Sequence, residues 1–582
     1  VSGNGRPPTL SPNYKWIALS NTTIGMLLAT INSSVILIAL PEIFRGIKIN
    51  PLAPGNTNYL LWTILGFLIV TAVLVVSLGR LGDLYGRVRI YNLGFAVFTA
   101  FSILLAVTPF SGEAGALWII LMRIGQGVGG AMLFANSSAI LTDAFPPDQR
   151  GLALGINGVA AIGGSFLGLI IGGVLAPLDW RYVFLVSVPF GVFGTVWSYL
   201  KLVDLSPPRH ARIDWLGNLT FAAGLVAVMV GVTYGIQPYG HETMSWTSPT
   251  VLAELCGGAG VLALFVFIER RVAEPMFALQ LFRIRAFAAG NLATLLAAIA
   301  RGGLQFVLII WLQGIWLPQH GYSFSQTPLW AGIYMVPLTV GFLLAGPISG
   351  FLSDRFGARP FATGGMVVAA LSFGLLTQLP VNFSYPAFAG LILLNGIGMG
   401  LFSSPNRAGV MNSLPPSFRG AGAGMNATFQ NSAMVLSIGL FFSILIAGLS
   451  SSLPSALYHG LAGHGVPAAT ASSISHLPPV ATLFAAFLGY NPLKQILPHA
   501  VLAKLPAGQA ASLTSKRYFP HLISPPFGSA LDAVFLFAAA GCLVAAVASW
   551  LRGGRYHYGA VQPPPAAVRS GVQEAGQSRW SS

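Results

Sequence analysis

Charge is scarce in this chain, and acid is scarcer than base. Only 8% of the 582 residues are charged, with 15 Asp and Glu against 30 Lys and Arg. So few charged groups cannot cover a water-soluble protein of this length, which excludes the soluble enzyme folds and points to a chain bathed in lipid. Cysteine is nearly absent. The two residues, Cys256 and Cys542, make no CxxC pair, so neither a disulfide framework nor a thiolate metal site is expected. Five of the nine histidines, His459, His464, His476, His499 and His521, fall in one segment, but their spacings match no zinc motif and fit solvated loop residues. With acids, histidines and nucleophiles nowhere clustered, a membrane enzyme is disfavoured and neither cofactor nor metal is expected.

Long apolar runs are what the chain does have. About 20 helical residues cover the roughly 30 Å of a hydrocarbon core. By that measure fourteen stretches can span: 16–40, 58–79, 90–109, 116–141, 152–176, 182–202, 215–236, 249–268, 286–316, 329–349, 361–380, 385–411, 422–449 and 528–551. The first is too long for the apolar core of a signal peptide and reads as a retained helix. The run from Pro478 to Leu488 is too short to cross and is expected on the surface, within an outer loop spanning 450–527. The residues after Arg552, with Pro563-Pro564-Pro565 and small polar side chains, read as a disordered tail.

Base placement orients the threading. Arg80, Arg87, Arg89, Arg150, Arg209, Arg212, Arg270, Arg271, Arg283, Arg285, Arg355, Arg359 and Arg419 all fall on one side, which the positive-inside rule makes cytosolic. Both termini are then cytosolic, and the formal net charge of +15 reflects contact with anionic inner-leaflet lipid rather than nucleic acid. The expected location is the plasma membrane.

A repeat divides the chain. Gly79-Arg80-Leu81-Gly82-Asp83-Leu84-Tyr85-Gly86-Arg87-Val88-Arg89 returns 271 residues later as Gly350-Phe351-Leu352-Ser353-Asp354-Arg355-Phe356-Gly357-Ala358-Arg359. Pro146-Pro147-Asp148-Gln149-Arg150-Gly151, followed by Gly155 and Asn157, returns 269 residues later as Pro415-Pro416-Ser417-Phe418-Arg419-Gly420, followed by Gly424 and Asn426. The expected fold is therefore an all-α membrane protein. Two half-bundles of six helices, 16–202 and 286–551, are related by a parallel repeat, with a 203–285 linker carrying two inserted helices. Residues 1–15 and 552–582 are the cytosolic ends.

Three motifs give the chain a family likeness. Residues 79–89 resemble the loop motif of the major facilitator superfamily, G-x-L-[AG]-D-[RK]-x-G-[RK]-x-[RK], with Leu84 where a base is usual. Leu121-Met122-Arg123-Ile124-Gly125-Gln126-Gly127 resembles its helix-four motif, with a membrane-embedded Arg. Gly155, Gly164, Gly168, Gly172 and Gly173 fit the antiporter helix-five spacing, with Leu169 where Pro is expected. The resemblance is to the fourteen-helix drug:proton antiporters. It implies a secondary transporter that exports small amphipathic organic compounds against protons by alternating access, with lipid, substrate and proton as its partners. An uptake carrier or uniporter for a neutral or anionic metabolite is the competing reading, supported by Leu169 and by Asn32, which stands where the family's first helix carries an acid. A non-transporting receptor is the remote third.

Candidate site residues follow. Gly79, Asp83, Gly86 and Arg87, with Gly350, Asp354, Arg355 and Gly357, would form a latch between the halves, Asp83 suiting a helix N-terminus. Gly164, Gly168 and Gly172 share one helix face and would admit a close neighbour, with Gly155 and Gly173 on the same helix. Ionisable groups within spans are costly and default to function. Arg123 qualifies, since the repeat places apolar Ile392 opposite it, and Gln126 of the same motif is placed on the path beside it. Arg301, Gln305 and Gln313 share an arc of about 120°. Asn32 completes the expected path with Glu254; the acids in or at the lip of spans that could take a proton are Glu254, Glu113 and Asp532, of which Glu113 and Asp532 read better as boundary residues at the outer interface.

Overall fold

The computed structural model describes residues 13–49, 56–146, 149–205, 214–237, 239, 242–272, 275, 277–415, 418–489, 491–515 and 517–553. The tails before Asn13 and after Gly553, and the side chain of Asp354, lie outside the described residues. Fourteen helices are long and apolar enough to cross a membrane. They are α1 Tyr14–Gly46, α2 Asn58–Tyr85, α3 Arg87–Ala106, α4 Gly112–Ala144, α5 Ala153–Leu175, α6 Tyr182–Lys201, α7 Trp215–Gly235, α8 Pro249–Glu269, α9 Arg285–Gln319, α10 Thr327–Ser353, α11 Ala358–Leu376, α12 Tyr385–Asn412, α13 Ala421–Gly463 and α14 Tyr518–Leu551. No strand occurs among the described residues, only an isolated bridge between Tyr239 and Glu242.

The repeat is visible in the packing. In the first half α1 packs on α5, α2 on α4, and α3 on α4 and α6. The second half repeats this: α9 packs on α13, α10 on α12, and α11 on α12 and α14. Contacts between the halves are paired as well, α2 with α13 and α5 with α10, as a two-fold relation requires. Helices α7 and α8 stand outside this scheme. They pack mainly on each other, and α7 reaches the bundle through α2 and α13.

Lipid is as apolar as leucine, so helices in it associate through close packing rather than escape from water. Small residues at the seams serve this. A Cβ on Gly396 of α12 would sit 2.0 Å from the Leu338 carbonyl oxygen of α10, and one on Gly398 would sit 2.6 Å from the Ala369 nitrogen of α11. Large apolar side chains such as Phe351, Leu344, Leu219 and Val547 point outward, as a lipid-facing surface allows.

Three expectations need correction here. The Pro478–Leu488 run is not a surface segment. It forms a helix, Pro479–Phe487, buried at every residue but the half-buried Ala481 and wedged against α2, α13 and the Trp311–Trp316 stretch of α9. A length test judges whether a run can cross a membrane, not whether protein covers it. The outer segment is also shorter than 450–527, since α13 runs to Gly463 and α14 starts at Tyr518. Hydropathy falls where a helix leaves lipid, whereas its hydrogen bonding continues. Finally, His464 is not simply solvated: its Nδ1 lies 2.9 Å from the Gly460 carbonyl and 3.1 Å from the Tyr518 hydroxyl.

Candidate transport site

The repeated loop motif builds the same turn twice. Gly86 and Gly357 sit between consecutive helices with φ of 109° and 91°, left-handed angles that a residue with a Cβ adopts only under strain. Asp83 does not cap the following helix as expected. It lies in the last turn of α2, where the helix dipole disfavours a carboxylate, and Arg87 compensates at 2.8 Å. The cap on α3 comes from Asp204 beyond α6, whose Oδ1 accepts from the Val88 N–H at 2.7 Å. Arg87 also holds Asp143 of α4 at 2.7 Å. Both partners of Arg87 belong to the first half, so this cluster braces α2, α3 and α4 rather than clasping one half to the other.

Arg123 is the centre of a buried network. Its Nη1 donates to Oδ1 of Asn32 and, at 2.8 Å, to Oε1 of Gln126. Its Nε donates to the Thr63 carbonyl at 3.4 Å, and its guanidinium lies 4.5 Å from the Phe67 ring centroid. Gln126 passes the chain on to Ser102 at 2.8 Å, and Asn32 to Ser187 at 3.3 Å. Helices α1, α2, α3, α4 and α6 thus meet at one cation that is 1% exposed and compensated by dipoles and a ring instead of a carboxylate. Asn32 and Gln126 join Arg123 as expected. Glu254 does not reach it: it sits at the α7–α8 seam, its Cβ 3.2 Å from where a Cβ on Gly231 would stand.

A narrow, partly open cavity of about 50 Å³ lies between α5, α9, α10, α12 and α13. Arg301 and Arg407 line it together with Thr294, Ser403, Asn406, Asn426 and Gln430. Its other walls are apolar, formed by Ile162, Phe342, Met399 and Phe402 among others. The expected arc of Arg301, Gln305 and Gln313 does not hold together. Only Arg301 lines the cavity: Gln305, one α-helical turn on, is buried elsewhere, and Gln313 falls in Trp311–Trp316, which is wound as a π-helix so that the 100° step fails there. Gln313 is fully buried with both amide atoms unpartnered. Arg407 went unrecognised in the sequence, although a base inside the 385–411 apolar run was the available signal. None of Glu113, Glu254 or Asp532 lines the cavity; Glu113 and Asp532 are exposed on the outer surfaces of α4 and α14.

Helix α5 carries two different seams. Cβ atoms on Gly164, Gly168 and Gly172 would meet Leu27 Cα at 3.3 Å, the Ile31 carbonyl oxygen at 2.5 Å and the Val35 carbonyl oxygen at 2.9 Å, so the expected glycine face is the bed of α1. Gly173 faces the other half. A Cβ there would lie 2.5 Å from Leu329 Cα of α10, while one on Gly332 of α10 would lie 3.2 Å from the Leu169 oxygen of α5. Gly155 packs on nothing within 4 Å, which corrects its place among the packing residues. The halves are thus closed against each other at the end bearing residues 464–517, and the cavity lies toward the end bearing the Gly86 and Gly357 turns.

The profile of the Major Facilitator Superfamily matches residues 22–438. The chain belongs to this superfamily. It is a transporter, not an enzyme, and its fourteen-helix form accords with the drug:proton antiporter branch. The riboflavin transporter RibZ of Clostridioides difficile is 27% identical over 446 residues, covering 75% of this chain and 89% of that protein. The cephamycin export protein CmcT of Amycolatopsis lactamdurans is 30% identical over 437 residues, covering 73% and 84%. A bacterial homologue of the human lysosomal transporter Spinster, in an inward-facing and occupied conformation, superposes with a TM-score of 0.56 at 16% identity, covering 93% of this facilitator and 98% of that chain. That likeness is one of fold.

Proposed function

We propose that this facilitator exports small amphipathic organic compounds in exchange for protons, with the Gly86 and Gly357 turns and both termini in the cytosol. One observation carries the reading: a cavity with a polar floor and apolar walls lies between the halves near the turn end, while Gly173 and Gly332 seal the opposite end. Alternating access needs that asymmetry, since a site open at both ends would be a channel. Export relatives such as CmcT support the direction. Purified protein in liposomes, with a pH gradient imposed in either direction, tests it: accumulation of compound on the acidic side is expected, and movement indifferent to the gradient would remove proton exchange.

The Asp83–Arg87–Asp143 cluster, which ties α2, α3 and α4 together at the turn end, is assigned a part in the conformational change. Asp83→Asn is expected to lower transport about five- to tenfold, a typical conformational coupling, while membrane insertion is retained. Equal transport at equal expression would return this cluster to a purely structural role. The orientation has its own test. Leu84→Cys or Ala358→Cys, in a chain with Cys256 and Cys542 replaced by Ser, is expected to react with an impermeant maleimide in inside-out vesicles and not in intact cells. Labelling from outside would invert the topology.

A further inference from the structure

We propose that the cavity beside Arg301 and Arg407 binds an amphipathic organic anion, whose carboxylate is shared by the two guanidiniums while its apolar body lies against Ile162, Phe342, Met399 and Phe402. The inference rests on the transporter reading and adds the substrate's charge to it.

The charge balance of the site motivates it. Arg301 makes no hydrogen bond or ion pair with any described residue, and Arg407 makes one long hydrogen bond, to Oε1 of Gln430 at 3.4 Å. No Asp or Glu among the described residues lines the cavity. Beneath its floor a third cation, Arg552, is 3% exposed. It donates from Nη2 to Oδ1 of Asn406, and its Nε and Nη1 have no partner. Three guanidiniums therefore stand around one cavity without a carboxylate among them. Arg552 is the one held away from water, where an unpaired cation is costly; Arg301 is half-buried and Arg407 is exposed in the cavity, and the mutual repulsion of the three adds to that cost. A bound carboxylate relieves both terms, and it meets the planar donor fork for which arginine is suited.

The asparagine amides are already committed. Asn406 Nδ2 donates to the Gly290 carbonyl at 3.1 Å and to Thr294 Oγ1 at 2.8 Å, and Asn426 Nδ2 donates to Asn291 Oδ1 at 2.9 Å. These amides fix α9, α12 and α13 to one another. The charged donors left over for a ligand are those of Arg301 and Arg407, with the Ser403 hydroxyl and the Gln430 Nε2 amide as neutral ones. Arginine stays protonated at any physiological pH, so the site repels cations under all working conditions.

Purified full-length protein in detergent, titrated with 5-carboxyfluorescein as anionic probe and rhodamine 6G as cationic probe, tests this by fluorescence anisotropy. The wild type is expected to prefer the anion by at least tenfold. Arg301→Gln and Arg407→Gln should each weaken anion binding at least tenfold, and the pair at least a hundredfold, with rhodamine 6G unchanged or bound more tightly. Anion binding within twofold of wild type in the variants, or a wild type that prefers rhodamine 6G, overturns the site. Should the variants fold poorly, competition on the wild type decides: 2-naphthoate should displace carboxyfluorescein and its methyl ester should not, and equal displacement by both overturns the proposal. The two readings separate in liposomes. Carboxyfluorescein bound but never moved keeps the anion site and removes transport of this class; rhodamine 6G moved without carboxyfluorescein binding keeps transport and removes the anion site.

Discussion

Arg123→Ala is expected to cost about 3–5 kcal/mol of folding stability, the range for removing one partner from a buried charged network. The reason lies in what stays behind. Asn32 Oδ1, Gln126 Oε1 and the Thr63 carbonyl would lose their donor at a place without water, at about 1–3 kcal/mol for each acceptor left bare. These acceptors come from α1, α4 and α2, so the loss loosens the centre of the first half. Transport per folded molecule should fall about a hundredfold, because the half-bundle must rock as one body. Arg123→Lys should recover little: an ammonium cannot serve acceptors spread over three helices and stack on Phe67 together. Thermal unfolding in detergent, alongside transport normalised to folded protein, checks both parts. Wild-type stability and transport in Arg123→Ala would show that the network is incidental.

The second large effect is conformational. Gly173→Leu places a side chain where a Cβ alone would stand 2.5 Å from the backbone of Leu329, so α5 and α10 must separate at the sealed end. Overpacking of this kind costs about 1–3 kcal/mol. Here the strain falls only on the state in which that end is closed, so it shifts the equilibrium between the two states by roughly five- to 150-fold. The variant should fold, expose cysteines introduced at 169 or 332 to impermeant reagent from the 464–517 side, and transport at least tenfold more slowly. Gly155→Leu is the control, since nothing stands within 4 Å of that position. Unchanged accessibility in Gly173→Leu would mean that this seam does not open during transport.

The spans were legible because about 20 consecutive apolar residues have few other uses, and the halves were legible because the Gly86 and Gly357 turns demand the same residue at the same place. What escaped was three-dimensional. Arg407 was hidden by the apolar run around it. Gln313 was placed on the cavity arc by an α-helical step that the π-helix at Trp311–Trp316 breaks. Asp83 was read as a cap, although the capping carboxylate is Asp204, more than a hundred residues away and joined to Val88 by folding alone. The same limit applies to Pro479–Phe487, whose burial depends on helices from both halves.

The unpaired arginines also make the carrier an electrical object. A charge moved across a membrane carrying 100 mV gains or loses about 2.3 kcal/mol. An empty cavity holding Arg301 and Arg407 is positive, so an inside-negative voltage favours the state in which it connects to the cytosol, and a bound carboxylate cancels part of that bias. On the proposed orientation, the resting membrane itself therefore drives the return of the substrate-free, proton-loaded protein, and turnover should rise with voltage when that return is the slow step.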